Sequence, residues 1–386
     1  MKLINMQSTA IYLDYAAASP ICTDVLDSYC SDLKEIYANP ASSHSAGHKA
    51  LTMIEEARLI LAQVFRSNPS DLIFTSGGTE SINLALKGLS EAYTRLPRKI
   101  FITAGEHEAT RKIAASIKYD LSEISLDPAS CTVDRQALLD AVEGQKPGII
   151  SLILVSNETG AITPIADIIA LIRKLSPRTK IHLDAVQAAG KIPLNFTSLD
   201  CDLMSISGHK FGSPKGIGLL IKKPKTLLKP IILGGGQQSG FRSGTENAPL
   251  VRALAKAAEL ADADIEDNYR KCKDLRERFI SKLSELTDEF RIVSPANGVP
   301  QILLLTFPRL RGETLVNAVS NRGVYISHGS ACSSLSREGN TTLRNLGLTD
   351  QEVLGTVRIS FSKILSSENV INAAQIIGTE YLRWRL

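Results

Sequence analysis

Short, almost wholly apolar runs alternate with helix-length amphipathic segments over much of the chain. Strands that are apolar along their whole length need helices on both faces, which is the usual arrangement of a mostly parallel sheet. The alternation therefore predicts an α/β fold built on one large sheet. The predicted strands are Leu72–Thr75, 100–103, 149–155, 181–183, 203–206 and 217–221.

The chain length points to a second domain. Single hydrophobic cores stop growing at roughly 250–300 residues, and this chain has 386. A long helical stretch over about 248–286 leads out of the predicted sheet region. We therefore expect a large domain at 16–258 and a smaller one formed by 1–15 and 259–386.

The pattern changes within this smaller domain. Three further strands, at 302–307, 324–327 and 357–360, are separated by helix candidates, which predicts a compact α+β unit. Thr349 and Glu352 have the spacing of a capping box at the start of one of these helices.

Composition excludes several classes of function. The chain has 44 Lys+Arg against 40 Asp+Glu, a net charge of +4, which leaves no basic footprint for direct nucleic-acid binding. No apolar run approaches the ~20 residues of a membrane helix, and no secretory signal is visible, so we expect a cytoplasmic protein. The six cysteines lie far apart, which predicts neither a disulfide framework nor a metal site.

Polar residues follow one predicted strand after another. The carboxyl ends of parallel strands meet at one edge of a sheet, where ligands of open α/β sheets collect. Glycines after the first strand free backbone amides to face a phosphate, and a lysine after another strand can become nucleophilic when desolvated. The residues at these strand ends are Gly78 and Thr79, His107, Asn157, Asp184 with Gln187, and Ser207, His209 and Lys210.

Pyridoxal phosphate is a cofactor that would use all of these groups. It needs a lysine for a Schiff base, an aspartate at its pyridine nitrogen, donors for its phosphate and a flat group against its ring. The candidates for these roles, in that order, are Lys210, Asp184, Thr79 with Ser207 and His209, and His107.

Six ordered motifs carry a family resemblance. They are Ser-Gly-Gly-Thr-Glu-Ser at 76–81, Glu-His at 106–107, Asn-Glu-Thr-Gly at 157–160, Asp-Ala-Val-Gln at 184–187, Ser-Gly-His-Lys at 207–210 and Arg-Ser-Gly-Thr-Glu-Asn at 242–247. Together they closely resemble the cysteine desulfurases, class V enzymes of the fold-type I pyridoxal-phosphate group. The resemblance extends from about residue 12 to about residue 361. It implies a seven-stranded, mostly parallel sheet flanked by helices.

The resemblance also implies a reaction. Cys332 lies in a Gly/Ser/Ala-rich loop at about 327–340, as in the iron–sulfur-cluster and nitrogen-fixation group of the family. L-cysteine would give L-alanine and a persulfide on Cys332, which is passed to an acceptor such as an iron–sulfur scaffold or a tRNA-thiolation enzyme. Lys210 would move a proton, and His107 would be the base for the Cys332 thiol.

Three further assignments follow from the resemblance alone. Arg358 and Asn157 would bind the substrate, with Arg358 on its carboxylate, and Asn157 and Gln187 would also contact the cofactor. The family is homodimeric, and Thr245 would bind the phosphate from across the dimer interface. Two alternatives stay open: another class V enzyme, such as a selenocysteine lyase or an aminotransferase, and a non-catalytic scaffold of the same fold.

Overall fold

The computed structural model describes residues 10–329 and 341–385. Its strands are β1 Ile11–Tyr12, β2 Leu72–Thr75, β3 Lys99–Thr103, β4 Asp120–Ile124, β5 Leu126–Asp127, β6 Thr132–Val133, β7 Ile149–Ile153, β8 Lys180–Asp184, β9 Leu203–Ser207, β10 Gly218–Lys222, β11 Arg291–Ile292, β12 Ile302–Thr306, β13 Val324–Tyr325, β14 Ser327–His328 and β15 Thr356–Ser360.

The α-helices pack around these strands. They are α1 Thr23–Glu35, α2 Ser45–Phe65, α3 Gly78–Ala92, α4 Glu108–Ser116, α5 Arg135–Gln145, α6 Ile165–Leu175, α7 Phe196–Leu199, α8 Ala248–Ala263, α9 Ile265–Ser284, α10 Gly312–Ser320, α11 Thr341–Asn345, α12 Asp350–Leu354 and α13 Ser367–Trp384. None of the helices within 10–329 and 341–385 is both long enough and apolar enough to cross a membrane.

The large sheet has seven strands in the order β2-β10-β9-β8-β7-β3-β4. Every neighbouring pair is parallel except the two that involve β10. Because β10 runs opposite to its neighbours, the carboxyl ends of the other six strands lie at one edge. The predicted α/β fold with a mostly parallel seven-stranded sheet is confirmed.

One strand of this sheet is missing from the sequence prediction. β4 lies at the sheet edge, and most of its residues are exposed or half-exposed. Its sequence, Asp-Leu-Ser-Glu-Ile, lacks the apolar run that marks the buried strands. Its pairing with β3 is therefore a tertiary effect that local composition does not reveal.

The predicted long helix at 248–286 is wrong in one respect, because it is two helices. α8 ends at Ala263 and α9 begins at Ile265, with Asp264 between them. The Asp264 carboxylate forms an ion pair with Lys363. The break lets α8 pack on α2 while α9 packs on α13. Most of the buried side chains of α8 therefore belong to the core of the large domain, and most of those of α9 belong to the core of the smaller unit.

A smaller unit lies beyond α8. Its four-stranded antiparallel sheet has the order β11-β12-β15-β14, and its apolar core includes residues of α9 and α13. The predicted capping box of Thr349 and Glu352 is present at α12. We propose the domain limits stated above, with Tyr15 packed in the smaller core and Ala16 and Ala258 in the larger one as support.

Candidate active site

A cavity of about 350 Å³ opens at the carboxyl edge of the large sheet. The structure brings together in its wall most of the residues that the sequence singled out. Thr245 is not among them and is exposed elsewhere, and Cys332 lies outside the described residues. The predicted residues in the wall are Gly78, Thr79, His107, Asn157, Asp184, Gln187, Ser207, His209, Lys210 and Arg358.

Lys210 follows β9 in a single turn of 3₁₀ helix over Gly208–Lys210. A side chain at Gly208 would meet Leu254 and Ser213 at 2.8 Å, so this close turn requires glycine. The turn brings the Lys210 amine to the cavity, where Nζ donates hydrogen bonds to the carbonyl oxygens of Ala16 and Ala17, both at 2.9 Å. The amine is therefore held in a defined position.

Asp184 is the last residue of β8 and is buried. Its Oδ1 accepts a hydrogen bond from the Val186 N–H at 2.9 Å. Burial raises the pKa of Asp184, while the Val186 N–H, His107 and Lys210 oppose the rise. A cationic N–H placed beside this carboxylate would stabilise its charge, so the site suits a protonated ring nitrogen.

Anion-binding groups lie at the start of α3. Gly77, with φ at 152°, precedes the helix, and a Cβ on Gly78 would approach Val186 at 2.9 Å. The first backbone amides of α3 have no partners within the helix, which makes this end suitable for a phosphate. Ser207 Oγ and His209 Nδ1 lie 2.9 Å apart nearby, and burial lowers the pKa of His209 to about 4.

His107 caps the start of α4, where its Nδ1 accepts a hydrogen bond from the Ala109 N–H at 3.1 Å. Burial lowers the pKa of His107, Asp184 opposes this effect and Lys210 adds to it. The ring is therefore neutral, and the hydrogen bond at Nδ1 assigns its proton to Nε2. In this state Nε2 is a donor.

Glu106 is a site residue that the sequence reasoning missed. It lines the same cavity and is buried, with Thr103 Oγ1 donating to its Oε1 at 3.2 Å and Ser151 Oγ donating to its Oε2 at 3.4 Å. Arg111 contacts the main-chain oxygen of Glu106 and forms its ion pair with Glu123. Burial raises the pKa of Glu106 to about 8, and Asp184 adds to the rise.

Replacing Glu106 with glutamine is expected to remove a pH-dependent cost of folding. The folded chain keeps the carboxyl proton up to about pH 8, whereas the unfolded chain loses it near 4.5. The folded state thus holds the extra proton in this window, so wild-type stability falls as the pH rises through it. The stability of Glu106→Gln relative to wild type should grow by on the order of a few kcal/mol from about pH 5 to about pH 8.

Denaturant unfolding at both pH values measures this difference. The matched control is Glu108→Gln, which removes a partly exposed carboxylate two residues away and leaves Glu106 in place. A Glu106→Gln difference that is equal at the two pH values would contradict a protonated Glu106.

Arg358 projects from β15 into the cavity. One terminal nitrogen donates to Asp14 Oδ1 and the other to the Asn157 carbonyl oxygen, both at 2.9 Å. Its buried Nε has no partner in the described part of the chain. Asp14, which the sequence reasoning also missed, therefore anchors the guanidinium from the amino-terminal segment.

Comparisons with known proteins agree with this geometry. The family model described as Aminotransferase class-V matches residues 11–372. The chain is 36% identical over 371 residues to cysteine desulfurase IscS of Pseudomonas putida, covering 95% of this chain and 91% of the relative. Cysteine desulfurase IscS of Dictyoglomus turgidum is 32% identical over 93% of this chain and 91% of its own length. The chain belongs to the cysteine desulfurases of the class-V aminotransferase family.

Solved structures share the fold of this chain. A NifS-like protein superposes with a TM-score of 0.90 at 31% identity, covering 97% of this chain and all of that one. A structure titled "SspA in complex with cysteine" has a TM-score of 0.79 at 31% identity, with 91% of this chain and 98% of that one covered. The resemblance stated from the motifs is confirmed, and the enzyme depends on pyridoxal phosphate as its family does.

Proposed function

We propose that this enzyme removes sulfur from L-cysteine, giving L-alanine and a persulfide on Cys332. The observation that carries the proposal is the pairing in one cavity of the Lys210 amine with the Arg358 guanidinium, which suits an amino acid bound by its carboxylate. The name of the Pseudomonas putida relative and the cysteine in the SspA structure support cysteine as that amino acid.

Residues of this chain would hold the cofactor at both ends. Lys210 would bind its aldehyde carbon and Asp184 its ring nitrogen, while Thr79, Ser207 and His209 would donate to its phosphate. Gln187 Nε2 donates to the Ala16 carbonyl at 2.8 Å, and its buried Oε1 lacks a partner in the described residues. Pyridoxal phosphate, when bound, withdraws electrons from the bonds at the substrate Cα.

The sulfur step balances without an outside oxidant. The Cβ–S bond of L-cysteine breaks, a bond forms between that sulfur and Cys332 Sγ, and the thiol proton is transferred to the alanine product. Lys210 would carry protons at the substrate Cα. The role of His107 as the base for the Cys332 thiol stays a prediction. In the resting site its Nδ1 accepts a hydrogen bond from the Ala109 N–H, which would have to break before Nδ1 took the Cys332 proton.

Replacing Arg358 with lysine is expected to weaken substrate binding. Lysine keeps the charge and loses the planar fork that can bind a carboxylate through two hydrogen bonds. A lost charged hydrogen bond costs about 1.5–3 kcal/mol, so the KM for L-cysteine should rise about tenfold to a hundredfold while kcat changes less. Steady-state kinetics measures both, with Arg252→Lys, a half-exposed site on α8, as control. An unchanged KM would contradict the carboxylate role.

We infer a homodimer in which Thr245 of one chain binds the phosphate held by the other. In support, Thr245 is exposed on a segment whose Arg242 pairs with Glu80 of α3, at the phosphate end of the cavity. Leu233 is 80% exposed and Ile232 beside it is 39% exposed, so two adjacent apolar side chains are exposed in this segment. The sulfur acceptor, an iron–sulfur scaffold or a tRNA-thiolation enzyme, and the cytoplasmic location stay predictions.

Product analysis tests the proposed function. Holoenzyme incubated with L-cysteine and a thiol reductant should release alanine and sulfide in equal amounts. An aminotransferase would instead convert an amino acid to its keto acid, and a selenocysteine lyase would act on selenocysteine in preference to cysteine. Keto-acid formation, or activity with selenocysteine alone, would overturn the proposal in favour of the corresponding alternative.

A further inference from the structure

A second cavity lies behind the proposed active site. Its volume is about 100 Å³, and Ala16 and Lys210 contribute to the walls of both cavities. The second cavity is bounded on its other sides by residues of α8, α9 and the segment after β15. None of the proposed catalytic steps uses this space.

Lys191 is buried in the wall of the second cavity, with only 6% of its surface exposed. Gly190 before it has φ at 72°, and a Cβ there would meet Phe211 at 2.8 Å, so this backbone conformation requires glycine. The Lys191 Nζ makes no hydrogen bond within the described part of the chain. A buried amine in this condition is costly unless something else binds it.

Gln301 supplies a second unpartnered group to the same wall. It is buried, and neither its amide nitrogen nor its amide oxygen has a hydrogen-bond partner within 10–329 and 341–385. Two independent buried side chains therefore present unused donors to one small space. Together they can give a ligand an ammonium donor from Lys191 and an amide N–H from Gln301.

The remaining charged groups of this cavity are already engaged. Lys363 forms ion pairs with Asp264 and Asp267, and the Lys210 amine is held by two carbonyl oxygens. No acid among the described residues therefore neutralises Lys191. Burial lowers the pKa of Lys191 to about 7, with Lys210 and Arg358 adding to the effect and Cys272 opposing it.

We propose that this second cavity binds a small monovalent anion, of halide or formate size, between Lys191 and Gln301. An anion is favoured because Lys191 is the charged side chain of this cavity that no acid within 10–329 and 341–385 neutralises. The size of the cavity excludes a second pyridoxal phosphate. Because Lys210 lines both cavities, the bound anion would lie next to the residue that holds the cofactor.

Bromide tests the site directly, because its anomalous scattering distinguishes it from water. Crystals of the holoenzyme grown with sodium bromide should show an anomalous peak between Lys191 and Gln301, and crystals of Lys191→Met should lack it. A wild-type crystal with no peak at this position, or an equal peak in the variant, would overturn the proposal.

Thermal unfolding supplies a second test in solution. Bromide or formate should raise the melting temperature of wild-type holoenzyme by about 2–4 °C above the same concentration of sodium gluconate, whose anion is too large for a cavity of about 100 Å³. The rise should be absent from Lys191→Met and retained in Lys215→Met, which changes an exposed lysine. A response to bromide alone would identify a halide site, and one to both anions a general site. An equal rise in Lys191→Met would contradict the assignment.

The stability of Lys191→Met without the anion separates this site from a structural role. Methionine keeps the length of the side chain and removes the unpartnered amine, so the variant should match or exceed wild-type stability in sodium gluconate. A lysine that stabilised the fold through its own contacts would make the variant less stable in every salt, and that result would overturn the proposal.

Discussion

Lys210→Ala is expected to lose L-cysteine turnover almost completely. The amine of Lys210 lies at the edge of the cavity where two carbonyl oxygens position it. We assign it both the covalent hold on the cofactor and the proton transfer at the substrate Cα. Loss of a positioned acid–base group alone lowers rates by about 10²–10⁴-fold, and this variant would also lose the covalent hold.

Absorbance spectroscopy and the alanine assay measure the Lys210→Ala effect together. The purified variant should lack the yellow colour of the lysine-bound cofactor and should form alanine at or near the background rate. Lys215→Ala, which removes an exposed lysine five residues away, is the control and should keep both properties. Wild-type turnover in Lys210→Ala would contradict the assignment.

Asp184→Asn is expected to have the second largest effect. Asparagine has nearly the same shape and keeps an oxygen for the Val186 N–H, but it cannot carry the negative charge that favours a protonated ring nitrogen. Removing one preorganised charge interaction at a reacting centre costs on the order of 10²–10³-fold in kcat. The variant should also bind pyridoxal phosphate more weakly.

Cofactor retention after dialysis and kcat for L-cysteine measure these losses. The control is Asp167→Asn, which changes an exposed carboxylate on α6. If Asp184→Asn kept both its cofactor and its kcat, the carboxylate would have no role at the ring nitrogen. Denaturant unfolding of the cofactor-free protein checks whether the substitution simply destabilises the fold. We expect the free energy of unfolding to change little.

Much of the fold could be predicted because the large sheet is buried on both faces. Strands such as β7 and β9 are buried throughout, and their apolar runs are visible in the sequence. β4 was missed because an edge strand with exposed side chains needs no apolar run. The break at Asp264 was missed because no glycine or proline marks it, although Asp264 followed by Glu266 and Asp267 has the pattern of a helix start. The two cores on which α8 and α9 pack are tertiary features.

The site was predictable where residues directly follow strands. Asp184 and Lys210 reach the cavity because the parallel strands before them end at one edge. Glu106 was overlooked because the Glu-His motif at 106–107 had been assigned a function through His107 alone. The raised pKa of Glu106 comes from its burial and from the nearby Asp184, and neither is visible in the sequence. Asp14 reaches Arg358 across 344 residues of sequence, a pairing that no local pattern indicates.

The central claim is that sulfur from L-cysteine passes to Cys332. One turnover of holoenzyme without reductant, followed by mass analysis of the chain, tests it most directly. The wild type and Cys30→Ser, which changes an exposed cysteine, should gain one sulfur atom on the Cys332 peptide for each alanine formed. Cys332→Ser should gain none. Alanine formation in the wild type with no sulfur on Cys332, or the same sulfur gain in Cys332→Ser, would contradict the account.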